Sequence, residues 1–273
     1  MIQDAADPVA PQPDADIVQR IDDSATRVSR VVMNRPKAYN ALSLEMMSAL
    51  QRTLDQIAED EGVHAVVLEG AGKGFCAGHD LKELRSDSSR QFYELVFDTC
   101  CALMGRITTL PQPVIAQAHG MATAAGCQLV ATCDLAVAAD DTRFATPGVN
   151  IGLFCSTPMV ALSRNVPRKR AMEMLLTGEA IDAETAADWG LVNRTAPSAS
   201  LAETTQTLAK QVASKSPHVV QIGKRAFYEQ IDMDLMAAYR HTAQVMTENM
   251  LAHDAAEGID AFLEKRHPTW RGC

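Results

Sequence analysis

The chain has little positive charge and no cluster of it. Among its 273 residues, 25 are Lys or Arg and 34 are Asp or Glu, so the formal net charge at pH 7 is −9. Nucleic acids and anionic membranes both need clustered cations on a protein partner. The composition therefore argues against both partners, although a few local Lys or Arg residues could still hold a small anion.

Paired cysteines and metal-ligand spacings are also missing. The seven cysteines form no CxxC pair and no zinc-type spacing, their number is odd, and several lie inside apolar stretches. Such cysteines are typical of reduced, mostly buried thiols. We therefore expect a cytoplasmic protein with no metal site and no permanently bound cofactor.

Neither a signal peptide nor a membrane span is expected. Residues 1–16, MIQDAADPVAPQPDAD, lack the basic and apolar regions of a signal peptide and the Arg of a transit peptide, so we expect a flexible tail. Residues 107–133 contain no Asp, Glu, Lys or Arg and are long enough to cross a bilayer. Because Pro and Gln interrupt this stretch, a buried strand, turn and helix explain it better.

Strand-like and helix-like segments alternate over the first two thirds of the chain. The predicted strands are 17–21, 26–34, 64–70, 113–120 and 134–140, and predicted helices follow Ser43 and cover 89–107 and 123–132. Such alternation needs crossover connections and predicts a mostly parallel, buried sheet. Beyond about residue 158 one helix follows another. We therefore predict an α/β core over 17–200 and a helical region over 201–273.

Two glycine-rich turns are the first candidates for a functional site. AGKGFCAGHDLKEL (71–84) and MATAAGCQLVATCD (121–134) each follow a strand and open toward a helix. A helix N-terminus has unpaired N–H groups that suit an anion or a developing oxyanion. Two such turns facing each other would give one carbonyl oxygen two N–H donors. The pattern alone favours two turns that are merely tight.

Six segments together resemble the crotonase, or enoyl-CoA hydratase/isomerase, superfamily. They are NRPKAYNALS, FCAGHDLKEL, PVIAQAHGMATAAGCQL, CDLAVAADDTRFATPGVNIGL, AMEMLLTGEAIDAETAADWGLV and FLEKR, and the similarity runs from about residue 17 to 270. The resemblance implies an α/β fold with a crotonase-like ββα spiral core and a C-terminal helical trimerisation region. It also implies a homotrimer or dimer of trimers that binds acyl-CoA thioesters, so that coenzyme A arrives with the substrate.

The resemblance assigns roles to particular positions. The backbone N–H groups of Ala77 and Ala125 correspond to the oxyanion hole that polarises the thioester carbonyl. The positions that correspond to coenzyme A-holding segments are Lys37, Ala38, Ala77, Gly78, His79, Asp80, Leu81, Phe262 and Lys265.

The chain departs from the family pattern at two positions. Hydratases of this family use two glutamates, and this chain has Gln128 and Gly148 in their places. Gln exchanges no proton near pH 7, and Gly has no side-chain group. A general acid or base contributes roughly 10²–10⁴-fold to a rate, so we do not expect efficient hydration by that mechanism. Two interpretations remain: an enzyme that stabilises a thioester enolate, and a non-catalytic acyl-CoA-binding protein.

Other groups could substitute for the missing acids. Ser156 lies where some superfamily members have Asp, His79 or His119 could pair with it, and Asp80 could act as a base. Each residue also has a structural explanation. The Ser156 hydroxyl could cap a helix that has Pro158 in its first turn. A serine hydrolase is not favoured, because the chain has no GxSxG elbow.

Overall fold

The computed structural model describes residues 16–273, so residues 1–15 of the predicted tail lie outside the described residues. In the described range the strands are β1 (Val18–Asp23), β2 (Val28–Met33), β3 (Ala65–Gly70), β4 (Val114–Ala118), β5 (Met121–Thr123), β6 (Leu135–Ala139), β7 (Arg143–Ala145), β8 (Ile181–Asp182) and β9 (Arg194–Ala196). The helices are α1 (Leu44–Ala58), α2 (Leu81–Ser86), α3 (Arg90–Thr109), α4 (Ala125–Thr132), α5 (Pro158–Asn165), α6 (Arg168–Thr177), α7 (Ala183–Asp188), α8 (Leu201–Ala213), α9 (Pro217–Gln230), α10 (Leu235–Met250) and α11 (His253–Glu264).

The main sheet has the strand order β1-β2-β3-β4-β6-β9. Strand β1 is antiparallel to β2, and every other pair in this sheet is parallel. Strands β5, β7 and β8 form a second sheet. The prediction of a mostly parallel sheet is confirmed.

Helices cover both faces of the main sheet. Alternate residues of β3 point to opposite faces, so Val66 and Leu68 belong to the larger apolar cluster, which includes residues of α1, α3 and α4. Ala65 and Val67 belong to a second cluster, in which α8 packs on the other face. Burial on both faces explains why these strands are almost continuously apolar.

Side-chain caps fix several helix starts. The Ser43 hydroxyl accepts from the Met46 N–H at the start of α1, as the sequence predicts. Helix α5 differs from the expectation. Thr157 occupies its N-cap position without a side-chain cap bond, and the Ser156 hydroxyl donates to the Phe154 carbonyl at 3.4 Å. The expected Ser156 cap is therefore wrong, whereas Pro158 does lie in the first turn.

Several short elements were not predicted, among them strands β5, β7 and β8 and helix α2. Strand β8 has only two residues and pairs with β7, and so short a strand has no recognisable period. Helix α2 begins inside the second half of the first glycine-rich segment, where Asp80 caps it by accepting from the Lys82 and Glu83 N–H groups. The turn is therefore shorter than the sequence indicates.

A buried ion pair joins the C-terminal helices to the core. The Lys224 Nζ of α9 donates to Asp134 Oδ2 at 2.6 Å and to the carbonyls of Ile107 and Gln112. The Tyr228 hydroxyl donates to Asp134 Oδ1 at 3.0 Å. Because Asp134 directly precedes β6, these contacts fix α9 against one end of the sheet. No helix of residues 16–273 is both long and apolar enough to cross a membrane.

Candidate active site

A cavity of about 500 Å³ lies where the two glycine-rich turns meet residues 147–158. The start of α4, part of α2 and Phe97 of α3 complete its wall. None of the lining residues that the structure describes is Asp, Glu, Lys or Arg. A more polar cleft of about 560 Å³ lies beside His64 and Trp270 and includes neither turn. The two glycine-rich turns therefore border the apolar cavity and not the polar cleft.

Hydrogen bonds hold the two turns side by side. The Cys76 N–H donates to the Met121 carbonyl at 3.1 Å, and the Thr123 N–H donates back to the Cys76 carbonyl at 2.9 Å. The Thr123 hydroxyl donates to the Ala77 carbonyl at 3.1 Å. The facing arrangement that the sequence suggested is thus formed by this pairing.

Two glycines allow the close approach. Gly78 has φ +92°, and a Cβ there would lie 2.9 Å from Ala124 Cβ and 3.2 Å from the Ala125 nitrogen. A Cβ at Gly126 would lie 2.1 Å from the Cys76 carbonyl oxygen. A side chain at either position would push the turns apart.

The free backbone donors are not the pair expected from the sequence. The Ala77 N–H donates to the Tyr39 carbonyl at 3.0 Å, so it is not free to bind a ligand oxygen. The N–H of His79, two residues later, has no acceptor within residues 16–273, and neither has that of Ala125 at the first position of α4. Both residues line the cavity. Sequence reasoning missed the His79 N–H, because the Tyr39 carbonyl decides which N–H of the turn is occupied.

The two positions of the missing glutamates differ in their surroundings. Gln128 is 4% exposed and does not line the cavity, and its Oε1 accepts from the Cys100 thiol at 4.0 Å. Gly148 does line the cavity. A Cβ there would lie 2.7 Å from the Leu153 carbonyl oxygen and 2.9 Å from Cys155 Sγ. The surrounding chain therefore leaves no space for a glutamate at 148.

The His79 ring is an unpartnered polar group at the cavity wall. It packs edge-to-face with Phe97, with ring centroids 5.4 Å apart and an interplanar angle of 86°. Its Nε2 is enclosed and has no hydrogen-bond partner among the described residues. Burial lowers the pKa of His79 to about 4, so the ring is neutral at pH 7.

Asp80 and His119 are not placed to act on a ligand in the cavity. Burial opposes ionisation of Asp80, but hydrogen bonds from the Glu83 N–H, the Arg35 guanidinium and the Lys82 N–H outweigh it and lower the Asp80 pKa. His119 Nε2 contacts the Gly72 carbonyl at 2.9 Å. Neither residue lines the cavity.

Ser156 lines the cavity but has no base beside it. Its hydroxyl donates to the Phe154 carbonyl, and no hydrogen bond joins it to a histidine in the part of the chain that the structure describes. The Ser–His pair considered from the sequence is therefore not formed.

The other expected coenzyme A contacts are spread over the molecule. Lys37 and Ala38 lie in the 3-10 helix Pro36–Ala38, whose loop joins the first turn through the Leu42 N–H and the Gly78 carbonyl. Leu81 lines the cavity. Phe262 and Lys265, at the end of α11, do not line it.

Asn40 supports the first turn and was missed by sequence reasoning. It is fully buried, and its Nδ2 donates to the carbonyls of Ala71, Gly74 and Phe75. Its Oδ1 accepts from the Arg35 N–H. The amide thus fixes the strand-to-turn segment, and its only signal in the sequence is an Asn in a loop.

Known proteins with similar sequences cover most of this chain. The human enoyl-CoA hydratase domain-containing protein 3, mitochondrial, is 49% identical over 243 residues, which are 89% of this chain and 80% of that protein. Its Xenopus laevis counterpart is 47% identical over 89% of this chain and 83% of that protein. This is the branch of the superfamily that FCAGHDLKEL, ATAAGCQLVA and GLFCSTP indicate. The 2,3-dehydroadipyl-CoA hydratase of Escherichia coli is 33% identical over 90% of this chain and 96% of that protein.

The names of these relatives correct one expectation. The domain-containing protein 3 relatives are named mitochondrial, which contradicts the cytoplasmic location expected from the cysteines and the N-terminal composition. Residues 1–15, on which part of that expectation rested, lie outside the described residues.

Solved structures are similar to this chain in fold as well as in sequence. An enoyl-CoA hydratase from Mycobacterium smegmatis has a TM-score of 0.92 and 50% identity, covering 94% of this chain and 99% of that one. The human enoyl-CoA hydratase domain-containing protein 3 has a TM-score of 0.90 and 46% identity, covering 93% of this chain and all of that one. The crotonase-like α/β fold with C-terminal helices is confirmed. Residues 23–273 also match the enoyl-CoA hydratase/isomerase family profile, and the chain therefore belongs to the enoyl-CoA hydratase/isomerase family.

Proposed function

We propose that this protein is an acyl-CoA-binding enzyme that holds the thioester carbonyl oxygen between the N–H groups of His79 and Ala125. The observation that carries the proposal is the pair of unoccupied backbone donors at one cavity, on turns held together by hydrogen bonds. Preorganised donors of this kind stabilise the negative charge that develops when a thioester becomes an enolate. Family membership supports the ligand class.

The surroundings of the donors suit an acyl group rather than a second charged group. The cavity wall that the structure describes has no ionised side chain, and it includes Leu84, Phe97 and Leu153. Gln128 and Gly148 supply no acid or base. We therefore infer weak hydratase activity at most.

A non-catalytic acyl-CoA-binding protein is the second candidate. The absence of a carboxylate from the described cavity wall favours it. The two candidates share the binding step and differ only in turnover.

Thermal denaturation with a set of ligands tests the binding step. Crotonyl-CoA and acetyl-CoA should raise the melting temperature, because a ligand that binds only the native state stabilises it. Butyrate should have far less effect, since it has no coenzyme A moiety. No shift with either thioester at millimolar concentration would contradict the proposal.

A glycine substitution links binding to the two donors. Gly78→Ala should weaken crotonyl-CoA binding at least tenfold, because its Cβ would press on the Ala125 nitrogen. Gly190→Ala is the matched control: Gly190 has a similar φ of +84°, does not line the cavity, and would place its Cβ 3.2 Å from the Asn165 carbonyl. Isothermal titration measures both affinities. Equal affinities in the two variants would show that the turns do not hold the ligand.

A further inference from the structure

The cavity holds a side chain that can accept a proton, although neither glutamate of the family pattern is present. His79 lines the cavity, and its Nε2 is enclosed without a hydrogen-bond partner in residues 16–273. Leaving a buried polar atom without a partner destabilises the fold, and a catalytic role is one reason for a protein to keep such a group.

The two ring nitrogens of His79 differ in their access to a ligand. The ring packs against Phe97 as an edge-to-face pair with centroids 5.4 Å apart, and Nε2 is enclosed. A neutral imidazole has one N–H and one lone pair, and with Nε2 enclosed only Nδ1 can present the lone pair to a ligand. Nδ1 makes no hydrogen bond to the described residues and is not enclosed, so it is the ring nitrogen left for a ligand.

Few other side chains near the cavity could act as a base. Cys155 is the other titratable side chain of the described cavity wall, and burial raises its pKa, so it stays a thiol at neutral pH. Asp80, next to His79 in the chain, is held by Arg35 and by the start of α2. Helices α3 and α4 contribute Phe97 and Ala125 to this wall and no charged side chain.

We propose that Nδ1 of His79 is the base that removes an α-proton from an acyl-CoA bound in this cavity. This inference rests on the proposed function. In the step, the Nδ1 lone pair takes the α-proton, and the C–H electron pair forms a double bond between the α-carbon and the carbonyl carbon. The carbonyl π electrons move to the oxygen, which accepts hydrogen bonds from the N–H groups of His79 and Ala125. The imidazolium then returns a proton to the α-carbon or, in a β,γ-unsaturated thioester, to the γ-carbon.

A single residue thus contributes a backbone donor and a side-chain base. The two contributions separate cleanly by mutation, since a side-chain substitution leaves the backbone N–H in place. The carbonyl oxygen held by that N–H is one carbon away from the α-carbon, which brings the α-proton close to the same residue's ring.

Solvent exchange measures the proposed step directly. In D₂O, 3-hexenoyl-CoA should incorporate deuterium at its α-carbon faster with wild-type protein than in a protein-free sample. ¹H NMR measures this incorporation. His79→Phe keeps the ring shape and should lower the exchange rate by roughly 10²-fold or more, the usual contribution of a general base. Its affinity for 3-hexenoyl-CoA should stay within a fewfold of wild type, by isothermal titration.

Two further variants separate a base from a simple hydrogen-bond acceptor. His79→Asn keeps an acceptor atom near the Nδ1 position but takes up no proton, so exchange should be lost and binding kept. His119→Phe, which changes a histidine that does not line the cavity, should exchange like wild type. The wild-type exchange rate should be constant from about pH 6 to 9, because a base with a low pKa is already unprotonated there, whereas a thiolate would make the rate rise across that range.

Each outcome decides the proposal. Binding without exchange in wild type, or wild-type exchange in His79→Phe or His79→Asn, overturns the role of the ring and leaves the proposed binding function intact. A wild-type exchange rate that rises between about pH 6 and 9 assigns the base to the thiol and also overturns it. Failure of wild type to bind any acyl-CoA overturns the proposed function and this inference with it.

Discussion

At the scale of single residues, the backbone of Ala124 shows that the site requires an unusual local conformation. Ala124, the residue before α4, has φ 51° and ψ −118°, a conformation that side chains with a Cβ rarely adopt. Strain of this kind persists only where the surroundings enforce it, and it clusters at functional sites. Here the Ala124 N–H donates to the Ala145 carbonyl at 2.8 Å, and this bond helps hold the turn that presents Ala125.

Burial of the His79 ring should make stability depend on pH. The unfolded chain protonates this ring below about pH 6.5, and the folded chain only below about pH 4. The stabilising contribution of the neutral His79 ring is therefore fully present above about pH 6.5, and it is lost as the pH falls from 6.5 to 4. The difference in pKa corresponds to about 3 kcal/mol of unfolding free energy.

Urea unfolding at pH 7 and pH 4 checks this expectation. Between pH 7 and pH 4, the free energy of unfolding of His79→Phe should fall by about 3 kcal/mol less than that of wild type, because Phe does not titrate. Burial also lowers the pKa of His64, so the variant should keep part of the pH dependence. Equal losses in wild type and variant would contradict a low folded-state pKa at His79.

At the scale of elements, one ion pair fixes α9 to the sheet. Lys224 and Asp134 are both largely buried, with 7% and 15% of their side chains exposed. Burial lowers the pKa of Lys224, and Asp134 opposes that change. Asp134 also accepts from the Val114 N–H at 2.7 Å, so a single carboxylate connects α9, the start of β4 and the start of β6.

Removing the lysine should therefore destabilise the protein strongly. Lys224→Met leaves the Asp134 carboxylate buried without its counter-ion, which costs roughly 3–5 kcal/mol. Arg90→Met is the matched control, because both side chains of the Arg90–Glu94 pair are more than half exposed and the pair should contribute at most about 1 kcal/mol. Chemical denaturation measures the unfolding free energy that each variant loses. Equal losses in the two variants would contradict the role given to Lys224.

At the scale of the whole molecule, the C-terminal helices carry many exposed apolar side chains. Leu235, Met236 and Tyr239 on α10 are each at least 60% exposed, and Phe262 and Leu263 on α11 are more so. Apolar surface of this extent marks an interaction site. We propose that these helices form the contacts of a homotrimer or dimer of trimers, as the family resemblance implies, and that Phe262 and Lys265 could then reach a neighbouring chain's coenzyme A site.

Light scattering tests the assembly. The mass should be three or six times the 29.5 kDa of one chain. Tyr239→Glu should shift the population toward smaller species, since it places a charge in the proposed contact. Ile21→Glu, which changes an exposed apolar residue of β1 in the same way, should leave the mass unchanged. A monomeric wild-type protein would contradict the proposal.

The sequence by itself determined the order of the longer elements, the type of the main sheet and the family, because these depend on periodic apolar patterns and on motifs that are local in the chain. It also determined that Gln128 and Gly148 are not acids. Only the tertiary structure decided which backbone groups are free. The Ala77 N–H is occupied by Tyr39, 38 positions earlier in the chain, whereas that of His79 has no acceptor in residues 16–273. The low pKa of His79, the buried position of Gln128 and the lack of space at Gly148 likewise result from contacts between distant segments, which no local pattern records.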